Sequence, residues 1–418
     1  MSFHKKALYT DMTQNYLTPV EPMSHTRVKV RFRTGRGNVD RVTICYNGQK
    51  AIMRKDSFDD MFDYYAYHIR LTDEPIYYHF EVEAEDESCY YNRLGISKSE
   101  EARYDFILVP GFATPDWAKG AVVYQIYVDR FYNGDSSNDV VNDEYFYQGR
   151  SVKHAGHWND PVGRTDEGTF YGGDLQGIID KMDYLEGLGV EVLYLNPIFV
   201  SPSSHKYDIQ DYRHIDPHFG KIVNREECGL KDGYEQYRGI TTDRENLEAS
   251  DRLFARMVEE AHKRGMKVIL DGVFYCCGSW HRFMDKEGIY ANGDTCSMKG
   301  AYQDSNSPYR EYFQYKNPQD ANSYENWWGY EAYAKFNYEN SRKLYEYILS
   351  VAVKWVSKPF CADGWRVDVA ASVGNNREWN HHFWQDFRKA VKAANPEALI
   401  IAEHYGPAKS WLIPMKKL

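Results

Sequence analysis

The sequence predicts a multidomain chain in which an N-terminal all-β sandwich precedes an α/β barrel, and three observations carry that reading. Short apolar–polar alternations broken by turn residues fill 27–109. Beyond a Pro/Gly linker the pattern becomes strand, helix, strand, repeated, which implies a parallel sheet with right-handed crossovers. Late in the chain, Ala362-Asp363-Gly364-Trp365-Arg366-Val367-Asp368 and Ala398-Leu399-Ile400-Ile401-Ala402-Glu403 each end in an acid and flank an amphipathic helix. Both acids therefore emerge at the C-terminal ends of neighbouring parallel strands, the rim where such barrels keep their chemistry.

In the first region strands are expected over 28–32, 42–46, 64–69, 77–82 and 104–108, with Asn47-Gly48 and Asp73-Glu74-Pro75 as breakers. Residues 1–24 read as an N-terminal extension, 25–112 as the sandwich and 113–418 as the barrel, with Pro110-Gly111 and Thr114-Pro115 marking the linker. The barrel strands are expected over 122–128, 191–195, 267–273, 364–367 and 399–402. Helices are expected over 175–188, 252–263 (closed by Gly265), 341–356 and 378–394. The long connections 200–250 and 274–340 leave the C-terminal ends of the second and third strands, so loops crowd one rim.

The 51 Lys and Arg residues against 61 Asp and Glu give a net charge of −10 without a basic block, which argues against nucleic acid or an anionic membrane as partner. Aromatic residues reach 16%, with 36 Tyr and 10 Trp. That abundance suits stacking on sugar rings, although cores and sandwich packing account for most of it. The start, Met1-Ser2-Phe3-His4-Lys5-Lys6, lacks a secretory apolar core, and no run approaches the ~18 apolar residues of a membrane span, so a cytoplasmic product is expected. The seven cysteines are scattered without CxxC spacing, and vicinal Cys276-Cys277 reads as a reduced, structural pair.

Period-two alternation puts Arg366 and Asp368 on one face, where the guanidinium keeps the carboxylate ionised and oriented. Alone, the two would read as a strand-end ion pair. Glu403 ends the next apolar strand, where partial shielding from water is expected to raise its pKa and let it act as the acid, and together the pair favours a retaining glycosidase, whose nucleophile and acid stand ~5 Å apart. Asp271 ends the third strand in Val268-Ile269-Leu270-Asp271 and is placed to brace Arg366. After the second strand, His205-Lys206-Tyr207-Asp208 offers a ring for stacking in Tyr207 and polar groups for sugar hydroxyls in His205 and Asp208. Asn133, Asp135, Asn138 and Asp139 crowd a Gly-containing turn, and Asp174 of Gly172-Gly173-Asp174 can join them, as a hard cation such as calcium requires. Asx-rich turns without metal are also common.

Taken in order, these motifs resemble the α-amylase family of glycoside hydrolases, in its neopullulanase and cyclomaltodextrinase-like branch with an N-terminal β-sandwich of starch-binding type. The resemblance rests on Val123-Tyr124-Gln125-Ile126 with Asp129-Arg130-Phe131, Gly172-Gly173-Asp174-Leu175, His205-Lys206-Tyr207-Asp208 with Asp211-Tyr212 and Ile215-Asp216-Pro217, Asp271-Gly272-Val273-Phe274, Gly364-Trp365-Arg366-Val367-Asp368, and Ala402-Glu403-His404-Tyr405. It implies a (β/α)8, TIM-type barrel acting on α-1,4-linked glucans: maltooligosaccharides, pullulan, cyclodextrin or starch. Asp368 would be the nucleophile and Glu403 the acid/base, with Arg366, Tyr207, His205, Asp208, Asp271 and His404 binding or positioning substrate. Calcium would be held by Asn133, Asp135, Asn138, Asp139, Gly172 and Asp174, and the sandwich would bind starch or mediate a homodimer.

Two departures from the family pattern bear on activity. Tyr275-Cys276 stands where the family has Asn-His, which removes a polar contact to the bound sugar. The family's third carboxylate, on a later strand, falls beyond Leu418, and the tail 411–418 lacks the expected acidic, Gly-rich continuation. The expectation is therefore a barrel incomplete at its C-terminal side, strands one to five, from a shifted reading frame or a truncated gene. Such a chain would turn over weakly or serve as an inactive glucan-binding remnant.

Overall fold

The computed structural model describes residues 4–85, 87–163, 166–225, 233–291 and 299–406. The segment 411–418, Cys228 and Cys296 lie outside the described residues. The chain divides into two compact units, with the break between Thr114 and Pro115.

The first unit is a sandwich of two antiparallel sheets. One runs Leu17–Thr18, Arg27–Gly35, Phe62–Arg70, Arg54–Phe58 in spatial order. The other runs Gln49–Ile52, Arg41–Tyr46, Ile76–Ala84, Glu87–Asn92, Gly95–Ser97, with Phe106–Leu108 also paired to Ile76–Ala84. Alternation decides the faces: Val28, Val30 and Phe32 point inward from one sheet, and Ile44, Phe80 and Val82 from the other. Phe32 meets Phe80 at 4.6 Å between ring centres. The five expected strands all form, although the last is shorter because 102–104 make a helical turn. Residues read as an extension in fact belong to the sandwich, since Leu17 pairs with Val30 and both Leu8 and Leu17 are in its core. Arg54–Phe58 escaped the sequence reading for a physical reason: it is an edge strand exposed on both faces and shows no apolar period.

The second unit is built on five parallel strands, β1 (Val123–Ile126), β2 (Val192–Leu195), β3 (Lys267–Gly272), β4 (Gly364–Val367) and β5 (Leu399–Ala402), hydrogen-bonded in sequence order. Sequential parallel strands joined by helices are the arrangement of an α/β barrel. The helix expected over 175–188 is two, α1 (Leu175–Asp180) and α2 (Met182–Gly187), because Lys181 leaves the helical region at φ −100°, ψ 5°. α3 (Glu235–Thr241) precedes α4 (Arg244–Lys263), which starts eight residues before the expected 252, capped by the Asp243 side chain on the Asn246 N–H. Its first turns bury Asn246, Ser250 and Asp251, polar residues that bond the 215–224 loop, so their inward face shows no apolar stripe. α5 (Arg342–Val356) and α6 (Arg377–Ala394) start at Ser341 and Asn376 caps. They bring Ile348, Trp355, Phe383 and Phe387 to the sheet core around Trp365.

Both long rim connections carry structure of their own. Phe199–Val200 pairs with Asp211–Ile215, and a three-stranded sheet joins Cys276–Gly278, Tyr330–Lys335 and Asn326–Trp327. Gly364 begins β4 opposite Leu399 of β5, and a Cβ there would lie 2.1 Å from the Leu399 carbonyl oxygen. Only glycine permits so close an approach of two backbones. Among the described residues Cys45, Cys89, Cys276, Cys277 and Cys361 are free thiols, and no helix is long and apolar enough to cross a membrane.

Candidate active site

Sheet register assembles the site. Asp271 and Arg366 are partners across β3 and β4, so their side chains share one face. Asp368 continues that face, and its N–H donates to the Gly272 carbonyl at 2.9 Å. Glu403 follows β5 and donates its N–H to Val367 at 3.0 Å.

One guanidinium ties three carboxylates together. Arg366 Nη1 donates to Asp271 Oδ1 (2.8 Å) and Oδ2 (3.0 Å) and to Asp368 Oδ1 (2.7 Å), while Nη2 reaches Glu403 Oε1 at 2.7 Å. Glu403 Oε2 accepts the Val369 N–H at 2.9 Å. Val369 is held at φ 40°, ψ 49°, a left-handed conformation that costs a β-branched residue about 1–3 kcal/mol and so marks strain at the site.

Tyrosines complete the cage from below. Tyr194, from β2, and Tyr207 both donate their hydroxyls to Asp271 Oδ2, at 2.5 and 2.9 Å. Asn196 Nδ2 approaches the Tyr207 hydroxyl at 3.3 Å and is itself held by Gln125 from β1 at 2.8 Å. His205 Nδ1 accepts the Tyr207 N–H at 3.0 Å, and burial pushes this imidazole down to about 4, so it is neutral. Lys206 is fully buried between Phe170 and Phe219, with its ammonium 2.7 Å from Asp216 and 2.8 Å from the Ser201 carbonyl.

The sequence-selected residues thus divide. Asp271, Arg366, Asp368, Glu403 and Tyr207 come into direct contact, and His205 supports Tyr207. Asp208 is buried and accepts from the Ser203 and Tyr147 hydroxyls, and burial raises its carboxyl to about 6. His404 is half-exposed next to Glu403. Sequence reasoning passed over Tyr194 and Lys206. Tyr194 carries a signal in hindsight, a hydroxyl within the otherwise apolar Val192–Leu195 strand.

Burial raises Asp368 to about 8, aided by the nearby Asp271 charge and a hydrogen bond to Glu403, against the pull of Arg366. Burial also acts on Glu403, but there the Val369 N–H, Asp368 and Arg366 outweigh it and lower the carboxyl, so the expected order, Asp368 kept ionised by Arg366 and Glu403 raised, is reversed because burial falls more heavily on Asp368. The two acids interact directly, so their titrations are linked. Asp271 is raised by burial, offset in part by Arg366 and the two tyrosines, and serves as their anchor.

The residues of the expected calcium loop also come together. Asp174 accepts the N–H groups of Gly134 (3.0 Å), Asp135 (2.9 Å) and Gly177 (2.6 Å) and the Asn138 amide (3.0 Å). Asp139 accepts from Asn133 at 2.8 Å, and Lys221 pairs with Asp135 at 2.5 Å. Two observations fit a cation: the Asn138 Oδ1 is buried without a donor among the described residues, and burial raises the neighbouring Asp139 carboxyl to about 6. Gly172, at φ 78°, keeps the space open, for a Cβ would meet Asn133 and Asp139 at 2.4 Å. No group of three acidic, His or Cys side chains among the described residues is arranged to hold a metal ion, so such a site would depend on amide and backbone oxygens.

Comparison with known proteins agrees with this geometry. The alpha amylase catalytic domain matches residues 125–228 and 249–416, and the alpha amylase N-terminal ig-like domain matches 1–109. Neopullulanase 2 of Thermoactinomyces vulgaris is 33% identical over 415 residues, 94% of this chain and 60% of that protein. A cyclomaltodextrinase of Thermoanaerobacter pseudethanolicus is 32% identical over 421 residues, with the same coverage of 94% and 60%. Among solved structures, the type III pullulan hydrolase from Thermococcus kodakarensis aligns with a TM-score of 0.60 at 27% identity, over 95% of this chain and 61% of that one. The chain spans about 60% of the length of the curated relatives named here. With both domains matched and the acid cluster in register on β3, β4 and β5, the chain belongs to the α-amylase family.

Proposed function

We propose that this chain is a retaining α-glucan hydrolase acting on α-1,4 linkages, with pullulan, cyclodextrins and maltooligosaccharides as its substrates. The observation that supports it is Arg366 bonding Asp368 and Glu403 at 2.7 Å each, which holds the acids close enough for double displacement. Asp368 attacks the anomeric carbon while Glu403 protonates the departing glycosidic oxygen. Glu403 then removes a proton from water, which cleaves the glycosyl–Asp368 ester and restores the α configuration. Proton NMR of the first-formed product tests this: the α-anomer is expected, and the β-anomer would sink the retaining assignment.

One observation favours a second reading, slow or absent turnover with retained glucan binding. Tyr275 and Cys276 are both buried, and neither carries the imidazole that the family pattern places at that position. Reducing-sugar release from pullulan, measured beside binding, separates the two.

Calcium is proposed at the Asn133, Asn138, Asp139 and Gly172 cradle, where it would supply charge to a loop joined through Asp174 to α1. Chelation is expected to lower the melting temperature by several degrees, about 1–2 kcal/mol, and added calcium to restore it. A melting curve indifferent to both would exclude the ion.

A further inference from the structure

The connection between β3 and α5 carries a short hairpin whose turn breaks the usual rules of sequence. Trp327 and Tyr330 are register partners, and the two residues between them, Trp328 and Gly329, both have positive φ, at 52° and 89°. Such a turn ordinarily selects asparagine, aspartate or glycine at its first position. Tryptophan gains nothing there from the fold, for Trp328 is 80% exposed and Tyr330 59%. A bulky apolar ring in a strained conformation and in water is a feature of binding surfaces.

The rings are also ordered. Trp328 lies 5.3 Å from Trp327 at 15° between planes, and Tyr330 lies 6.0 Å from it at 28°. Near-parallel rings of this kind match the flat apolar faces of pyranoses. The array leads towards the acids: Trp327 packs 5.9 Å from Tyr275, which directly follows the Phe274 beyond β3, and Tyr333 of the same hairpin meets Trp327 edge-on at 6.0 Å. The hydroxyls of Tyr275 and Tyr333 are raised first by burial, and both also feel the charge of Asp368.

We propose that Trp328 and Tyr330 form an outer platform for α-glucan chains, gripping glucose units away from the bond to be cleaved and so favouring long substrates over short ones. This rests on the glucan hydrolase reading, and its continuity with the acid cluster through Trp327 and Tyr275 is what commits the platform to a glucan.

Calorimetric titration tests it, using the whole chain carrying Asp368→Asn to suppress turnover, with and without Trp328→Ala or Trp328→Phe. Trp328→Ala is expected to weaken maltoheptaose binding about tenfold, to leave maltose within about twofold, and to leave the melting temperature unchanged, while Trp328→Phe keeps most of the affinity. Unchanged maltoheptaose affinity in Trp328→Ala, or equal loss for both sugars, overturns the platform alone. Binding of neither sugar by the parent chain overturns the platform and the hydrolase reading together. Sedimentation provides the remaining arm: a dimer dissolved by Trp328→Ala, with maltoheptaose affinity intact, would assign this face to a second copy of the chain and overturn the proposal.

Discussion

Replacing Asp368 with asparagine is expected to abolish turnover, by ~10³-fold or more, and at the same time to stabilise the protein. The first effect follows from losing the attacking oxygen. The second follows from the charge balance: Asp271, Asp368 and Glu403 all lean on the single Arg366 guanidinium. Burial, with help from the Asp271 charge, raises Asp368 to about 8, far above the ~3.9 of a free aspartate. Between those values the folded state binds more protons than the unfolded one, so this group's contribution to stability falls as pH rises. Asparagine never ionises and escapes that loss. The melting temperature of the variant should therefore exceed that of the parent by more at pH 8 than at pH 5. A variant that melts lower at pH 8 would mean that the Arg366–Asp368 bond outweighs the repulsion.

Lys206→Met should have the largest effect on stability, a loss of about 3–5 kcal/mol. The ammonium is fully buried, and it holds Asp216, which in turn accepts the Ser201 N–H at 3.0 Å and the His218 N–H at 2.9 Å. His218 remains as a partner, because the charge of Glu144, 2.9 Å away, overcomes burial and raises the imidazole to about 9. It cannot replace the lysine, since a buried carboxylate facing one cation has lost the other. Denaturant unfolding measures the change, and Lys206→Met with Asp216→Asn is the decisive comparison. Recovery of part of the lost stability in the double variant indicates an ion pair, whereas simple addition of the two losses would assign the effect to packing. Because Lys206 lies between His205 and Tyr207, glucan binding should weaken with it.

The acid cluster was legible because its chemistry coincides with its periodicity: an apolar strand ending in an acid reads the same in one dimension as in three. That holds for β4 and β5, whose bounds match those expected, and for the role of Asp271 beneath Arg366. The surroundings of Asp208 were not legible, for the opposite reason. It stands in a rim loop beside Tyr207, and nothing in sequence tells that Ser203 and Tyr147 occupy its oxygens. The start of α4 stayed hidden because its inward residues are polar and bond a loop, so the apolar stripe begins a full two turns late. Arg54–Phe58 has no buried side, and an unburied strand leaves no pattern to read.

Gly364 gives this arrangement a dimension that its side chains alone do not set. It faces Leu399 at the start of β4 and β5, and Asp368 and Glu403 each stand four residues further along. The hydrogen atom at that position acts as a spacer of minimum width between two rails. A methyl group would press on the Leu399 carbonyl oxygen at 2.1 Å and spread the rails where they begin. In glycoside hydrolysis, acids a few ångströms further apart leave room for a water molecule between them and the sugar, the spacing of inverting rather than retaining enzymes. Under the proposed mechanism, the stereochemical outcome at the sugar would then depend on the side chain that Gly364 lacks.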